Sequence, residues 1–155
     1  MIRSYAAALL TVLLAATQPA GAQDPMAGRE TIATNHDFDT MWDRLEAAIE
    51  DNQMLLLYRA SASRGAATRG IEIPGNAVYG VYRNDFAVRM LEASVPAGIE
   101  APLIFYLTER PDAGTDLTWR RPSHVFGAYG NVELDQLGAD LDPIFASIAE
   151  QATAE

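Results

Sequence analysis

Residues 101–122, A-P-L-I-F-Y-L-T-E-R-P-D-A-G-T-D-L-T-W-R-R-P, constrain the fold more than any other stretch. Residues 103–108 form a nearly unbroken apolar run of β-formers, bounded by Pro102 and by the turn-forming cluster 110–114. That combination predicts a largely buried central strand and a tight return. In the return strand, 115–120, Leu117 and Trp119 fall on one face and Asp116, Thr118 and Arg120 on the other. Pro122 then stops the ladder, because it has no N–H to donate.

The preceding chain supplies helices to cover such a sheet. Asp37 can cap a first helix, in which Phe38, Trp42, Leu45 and Ile49 recur at helical spacing, and Asn52 is a candidate left-handed cap at its end. Residues 54–58 follow as an apolar run without alternation, which predicts a strand buried on both faces. From 59 to 75 the sequence breaks into small residues, three arginines and three glycines, read as an exposed connection with one short extended piece at 71–73. A loop that long is more often functional or mobile than merely connective. The chain re-enters the sheet at 77–83, where Gly80 marks a bulge or a close backbone approach. Asn84 can cap a second helix to about Ser94, burying Phe86 or Ala87, Met90 and Leu91 and stopped by Val95-Pro96. Beyond the hairpin, 123–137 read as a loose apolar turn, and Asp142-Pro143 as the cap and first residue of a last helix burying Ile144, Phe145 and Ile148. The expected fold is α+β: a two-layer sandwich with a mostly antiparallel four-stranded sheet covered by helices on one face, in the order α-β-β-α-β-β-α.

The first residues read differently. Arg3 precedes an uncharged apolar run at 6–16 and the small triplet Ala20-Gly21-Ala22, which is the layout of a secretory signal peptide cleaved at about Ala22/Gln23. About eleven apolar residues are too few to cross a bilayer, so no stable membrane insertion is expected after cleavage. The organisation is therefore a signal peptide at 1–22, a flexible leader at 23–35 that is a mobile arm or short edge strand, and one domain at 36–155. Localisation is periplasmic or secreted.

Composition narrows the chemistry. The formal net charge is −10, and cleavage would remove one arginine and no acid. Such a surface repels nucleic acid and anionic lipid, while keeping an exported protein soluble. Cysteine is absent, so stability rests on core burial and thiol chemistry is excluded. Every cation among the 11 Lys and Arg is arginine, which removes Schiff-base chemistry.

With two histidines and no cysteine, a zinc or copper site lacks ligands. His36-x-x-Asp39 sits at a helix start, where capping accounts for it. His124, beyond the hairpin exit, is better explained by a backbone hydrogen bond than as a general base. The serines lack the strained turn of a nucleophile, and the Gly-Arg stretch 63–70 lacks the Lys-Ser/Thr of a phosphate loop; it is read as solvated. What remains is Tyr82, Arg83 and Asn84 at one strand end with Trp119, Arg120 and Arg121 at another, and His124 close by. If those ends are neighbours, they frame a small anionic or aromatic ligand; the same residues suit a dimer rim, or a plain core edged by arginines.

Over roughly residues 37–125 the chain resembles the bacterial domain-of-unknown-function 302 family. The matching pieces are F-x-x-x-W-x-x-L in the opening helix, G-I-E-I-P at 70–74, the aromatic strand running into Asn84, A-P-L-I-F-Y-L-T-E, and W-R-R-P at 119–122. The resemblance implies a small α+β unit, often exported and commonly homodimeric, without an established activity. Two departures stand out: Ser61-Ala62 where such domains often carry Asp-His, and Tyr82-Arg83-Asn84-Asp85 where they often carry Phe-Gly-Asn-Pro. The polar pair best suited to chemistry is thus replaced. The expected function is an exported, non-enzymatic binding or interaction module, homodimeric, needing no cofactor or metal. The alternative is a small periplasmic enzyme, or an anion- or small-ligand-binding protein with an arginine/aromatic site at the sheet edge.

Overall fold

A computed structural model describes residues 27–155; the expected signal peptide and the start of the leader lie outside the described residues. The described chain is α+β, with one antiparallel sheet of five strands rather than four. The strands are β1 (Arg29–Thr34), β2 (Leu55–Ala60), β3 (Asn76–Tyr82), β4 (Leu103–Glu109) and β5 (Thr115–Arg120), in spatial order β1-β5-β4-β3-β2. The helices are α1 (Phe38–Asp51), α2 (Ala62–Ala67), α3 (Asn84–Ala93), α4 (Pro122–Gly127) and α5 (Val132–Thr153), with a 3-10 turn at Val95–Glu100.

The additional strand is β1, in the leader read as a mobile arm or short edge strand; the edge strand is what forms. It pairs with β5 without interruption from Arg29↔Arg120 to Thr34↔Thr115, placing Ile32 beside the buried Leu117. A half-polar edge strand needs only one inward apolar side chain, so its pattern is faint. The β4–β5 hairpin stands where the sequence puts it, with β4 central in the sheet. Its burial is one-sided, however: Phe105 and Leu107 are fully buried, whereas Ile104 is 37% and Tyr106 38% exposed.

One face of the sheet carries all the helices. α1 packs on β2, β3 and β4, α5 on β1, and the two helices pack on each other. In α1 the stripe Trp42, Leu45 and Ile49 is buried as its spacing predicts. Asp37 caps it, Oδ1 accepting from the Thr40 N–H at 2.7 Å. The left-handed residue after α1 is Gln53 (φ 59°), not Asn52, whose side chain instead donates to the Ala48 carbonyl.

Other elements differ from expectation. β2 is an edge strand, so Leu55 and Leu57 are 56% and 52% exposed rather than buried on both faces. It carries the bulge, between Leu56 and Tyr58, and Tyr58 lies over Gly80, where a Cβ would come 2.3 Å from the Tyr58 ring. In the connection 59–75, 71–73 are not a strand, but 62–67 form α2, capped by Ser61 Oγ accepting from the Arg64 N–H at 3.0 Å. The stretch is solvent-exposed as read, but Arg64 is also anchored: its guanidinium lies 3.6 Å from the Trp42 ring centroid and pairs with Asp39 at 3.0 Å. In α3, Arg83 is the N-cap residue rather than Asn84, and Leu91 is exposed.

The last helix begins eleven residues before Pro143. Asn131 caps it, Oδ1 accepting from the Leu134 N–H at 3.0 Å, and Leu134, Leu137, Leu141, Phe145 and Ile148 line its buried side. Asp142 does not cap; its Oδ1 accepts from the Ser123 N–H at 2.9 Å and ties α5 to α4. Pro143 removes a single intrahelical bond, the one that would reach the Ala139 carbonyl. The segment read as a loose turn contains α4.

The cap on α1 has a pH signature. The bond from the Thr40 N–H holds the Asp37 carboxyl below the ordinary aspartate value. Because the folded value is the lower one, the stabilisation is present above the unfolded value and lost as pH falls through the folded one. Asp37→Asn, a neutral residue that also caps well, is expected to leave neutral-pH stability nearly unchanged and to flatten the acid limb between about pH 5 and about pH 2. Denaturant titrations across that range check this; an unaltered acid limb would show that the ionisation contributes nothing.

Candidate functional site

The residues singled out from the sequence share one end of the sheet but not one pocket. Val81 pairs with Leu103 and Phe105 with Trp119, so β3 and β5 finish at the same end with β4 between them. Two strand spacings, about 10 Å, separate their backbones.

On the β3 side, Tyr82 Oη accepts from Asn84 Nδ2 at 3.2 Å. Arg83 is held by Asp85 through Nε–Oδ1 at 2.8 Å and Nη2–Oδ2 at 3.2 Å, and lies 4.2 Å from the Phe86 centroid. That fork draws the Asp85 carboxyl below its ordinary value. Tyr82 and Arg83 line a small apolar cleft of about 30 Å³ with Met54, Phe86, Met90 and Leu103. It has room for about one water, far less than a ligand requires.

On the β5 side, Trp119 faces the core, 8% exposed, with its ring centroid 5.9 Å from that of Phe105. Arg120 points to the opposite, open face beside Ile99 and Ile104. Arg121 pairs with Glu30 at 3.2 Å. The His124 ring packs on Gly28, where a Cβ would meet its Cγ at 2.2 Å. The other histidine, His36, has Nε2 2.9 Å from the Ala154 carbonyl at the end of α5, beside Arg44, which donates to Ala152 and Ala154. These are positional roles, with the Arg44 guanidinium set on the negative end of a helix.

A larger feature escaped the sequence reading. Between β1 and α5 runs a groove of about 450 Å³, floored by Ile32 and Trp119 and walled by Pro143 and Ala146. Glu30, Asp142, Glu150 and Arg121 border it. Its helical wall was readable in the spacing of 142, 143, 146 and 150, but its other wall, β1, lay in the stretch read as a leader. Among the described residues, no three His, Cys, Asp or Glu side chains gather as a metal site, and no helix is long and apolar enough to cross a membrane.

The family model described as "Domain of unknown function DUF302" matches residues 30–152. The chain belongs to this family. The match begins inside β1 and runs into the last turn of α5, so it takes in nearly all of the described chain. Among solved structures, the chain is similar to the uncharacterized conserved protein DUF302 from Bacillus stearothermophilus. The TM-score is 0.72 at 16% identity, over 81% of this chain and 98% of that one. At that identity the likeness concerns the fold alone. No curated protein matches.

Proposed function

We propose that this DUF302 chain is an exported, non-enzymatic interaction module that works as a homodimer, with the uncovered face of its sheet as the self-association surface. The observation that carries the reading is the composition of that face. Tyr58, Val78, Gly80, Tyr82, Ile104 and Tyr106 form one patch on it from β2 to β4 without a formal charge, and Tyr58, Ile104 and Tyr106 are each more than a third exposed. Aromatic and aliphatic side chains without charge are the composition of an interface core. A two-fold axis through the patch sets it against itself, as isologous dimers require, and two sheets can stack at about 10 Å. The charge of −10 is borne elsewhere, so two copies meet without opposing like charges at the centre.

The non-enzymatic part draws support from the occupation of the polar groups. Arg83 is bound to Asp85, Arg121 to Glu30, and His36 to a backbone carbonyl, so each already has a neighbouring partner.

Expression of the full chain in a bacterial host, with the periplasmic product weighed by native mass spectrometry and light scattering without chelators, tests the export and the self-association. The expected product begins at Gln23 and has twice the bare polypeptide mass. A monomer with added mass would overturn the reading in favour of a ligand-binding protein or enzyme. An uncleaved chain retained in the cytoplasm would remove the export.

A further inference from the structure

From the edge of β1 and the groove beside it, we infer a second binding surface: a site where an extended peptide of alternating basic and apolar residues adds as a sixth strand. It is independent of the homodimer, since it uses neither the open face nor β2.

The backbone supplies the first argument. The Arg121 N–H donates to the Gly28 carbonyl at 2.8 Å, which makes Gly28 and Arg121 a hydrogen-bonded pair. Antiparallel ladders alternate. Glu30, Ile32 and Thr34 therefore bond inward to β5, and Arg29, Thr31 and Ala33 turn their N–H and C=O groups outward. Those three backbones have no partner among the described residues. A free, regular edge is a template for strand addition. The opposite edge is a poorer one, because the bulge between Leu56 and Tyr58 breaks the spacing of β2.

Alternate side chains of an added strand would point towards α5 and enter the space floored by Ile32 and Trp119. This strand-plus-helix arrangement gives affinity through the main chain and selectivity through the pocket. The apolar floor takes an aliphatic side chain.

Charge chooses the occupant. Glu30, Asp142 and Glu150 border the groove, against one cation, Arg121, already paired with Glu30. Glu30 and Asp142 each use one carboxylate oxygen, on Arg121 and the Ser123 N–H, so lysine or arginine on the incoming strand would pair with Glu150 and with the remaining oxygens. A second copy of this chain fits less well, because its β1 would bring another Glu30 towards the same acids.

The test uses a fluorescently labelled octapeptide of alternating lysine and valine, its glutamate–valine counterpart, and the purified protein. Saturable binding of the basic peptide is expected, with the acidic one at least about tenfold weaker. Thr31→Pro removes an outward N–H while sparing the ladder to β5, and should weaken binding by about tenfold or more with little change in melting temperature. Glu150→Arg should weaken it similarly. On the unaltered protein, hydrogen exchange at the Thr31 amide should slow when the peptide is present, a readout that does not depend on either variant folding. Equal binding of both peptides, full affinity in Thr31→Pro, or an unprotected Thr31 amide would overturn the proposal. So would a homodimer that Thr31→Pro converts to monomer, since the occupant would then be a second copy.

Discussion

Replacing Phe145 with alanine is expected to destabilise the protein by about 4 kcal/mol and lower its melting temperature by about 12 °C. Phe145 is fully buried near the middle of α5, stacked on Phe105 of the central strand with centroids 4.9 Å apart and planes 16° from parallel. It joins the longest helix to the centre of the sheet. Removing the ring forfeits its transfer from water and leaves a cavity that two rigid elements cannot close. Ala146, two-thirds of the way along the same helix and only partly buried, provides the contrast: Ala146→Ser should change stability by less than about 0.5 kcal/mol. Urea unfolding of both variants measures the difference. A loss below about 1 kcal/mol for Phe145→Ala would mean that α5 is not packed on the sheet as described.

The second large effect concerns the crossing of α4 and α5. Gly138 lies inside α5, where glycine costs about 1 kcal/mol relative to alanine, so helix propensity alone would make Gly138→Ala stabilising. Packing opposes this. A Cβ at 138 would stand 2.6 Å from the Ser123 Cα and 2.9 Å from its nitrogen, both backbone atoms of α4. Backbone cannot rotate aside as a side chain can, so α4 must move, at a cost of about 3 kcal/mol. The net expectation is a loss of about 2 kcal/mol, with the Asp142 bond to the Ser123 N–H strained as the helices part. Stabilisation on Gly138→Ala would show that α4 and α5 separate freely.

These two residues also show where the sequence was readable. Leu134, Leu137, Leu141, Phe145 and Ile148 recur at helical spacing through the whole of α5, yet Asp142-Pro143 carries so strong a local start signal that it divided the pattern. The local rule lost to tertiary contact: Asp142 serves α4, and one missing hydrogen bond is a small cost in a helix buried along its length. The β4–β5 hairpin was legible because its apolar run, turn cluster and proline all agree. β1 was not, since an edge strand with one inward aliphatic side chain has almost no pattern. α2 has no buried residue at all; a serine cap and Arg64 on Trp42 hold it, and neither leaves a periodic trace.

The candidate site fared according to the same distinction. Which residues stand at strand ends follows from the run lengths of β3 and β5. Which strand ends are neighbours depends on sheet order, which short-range pattern does not encode, and β4 inserts itself between them. The exposure of Leu55 and Leu57 was hidden for a related reason: a continuous apolar run describes equally a strand buried on both faces and an edge strand whose open side awaits a partner.

Sedimentation equilibrium of the unaltered protein beside Ile104→Glu is the most direct test of the open face as the self-association surface. Ile104 lies at the centre of that face, clear of the core, so glutamate there leaves the fold intact and sets two buried carboxylates against each other in any stacked dimer. A dimer is expected for the unaltered protein and a monomer for Ile104→Glu, with the variant's melting temperature at high dilution unchanged. A dimer that survives Ile104→Glu, or an unaltered protein that stays monomeric at every concentration, would contradict that role for the open face.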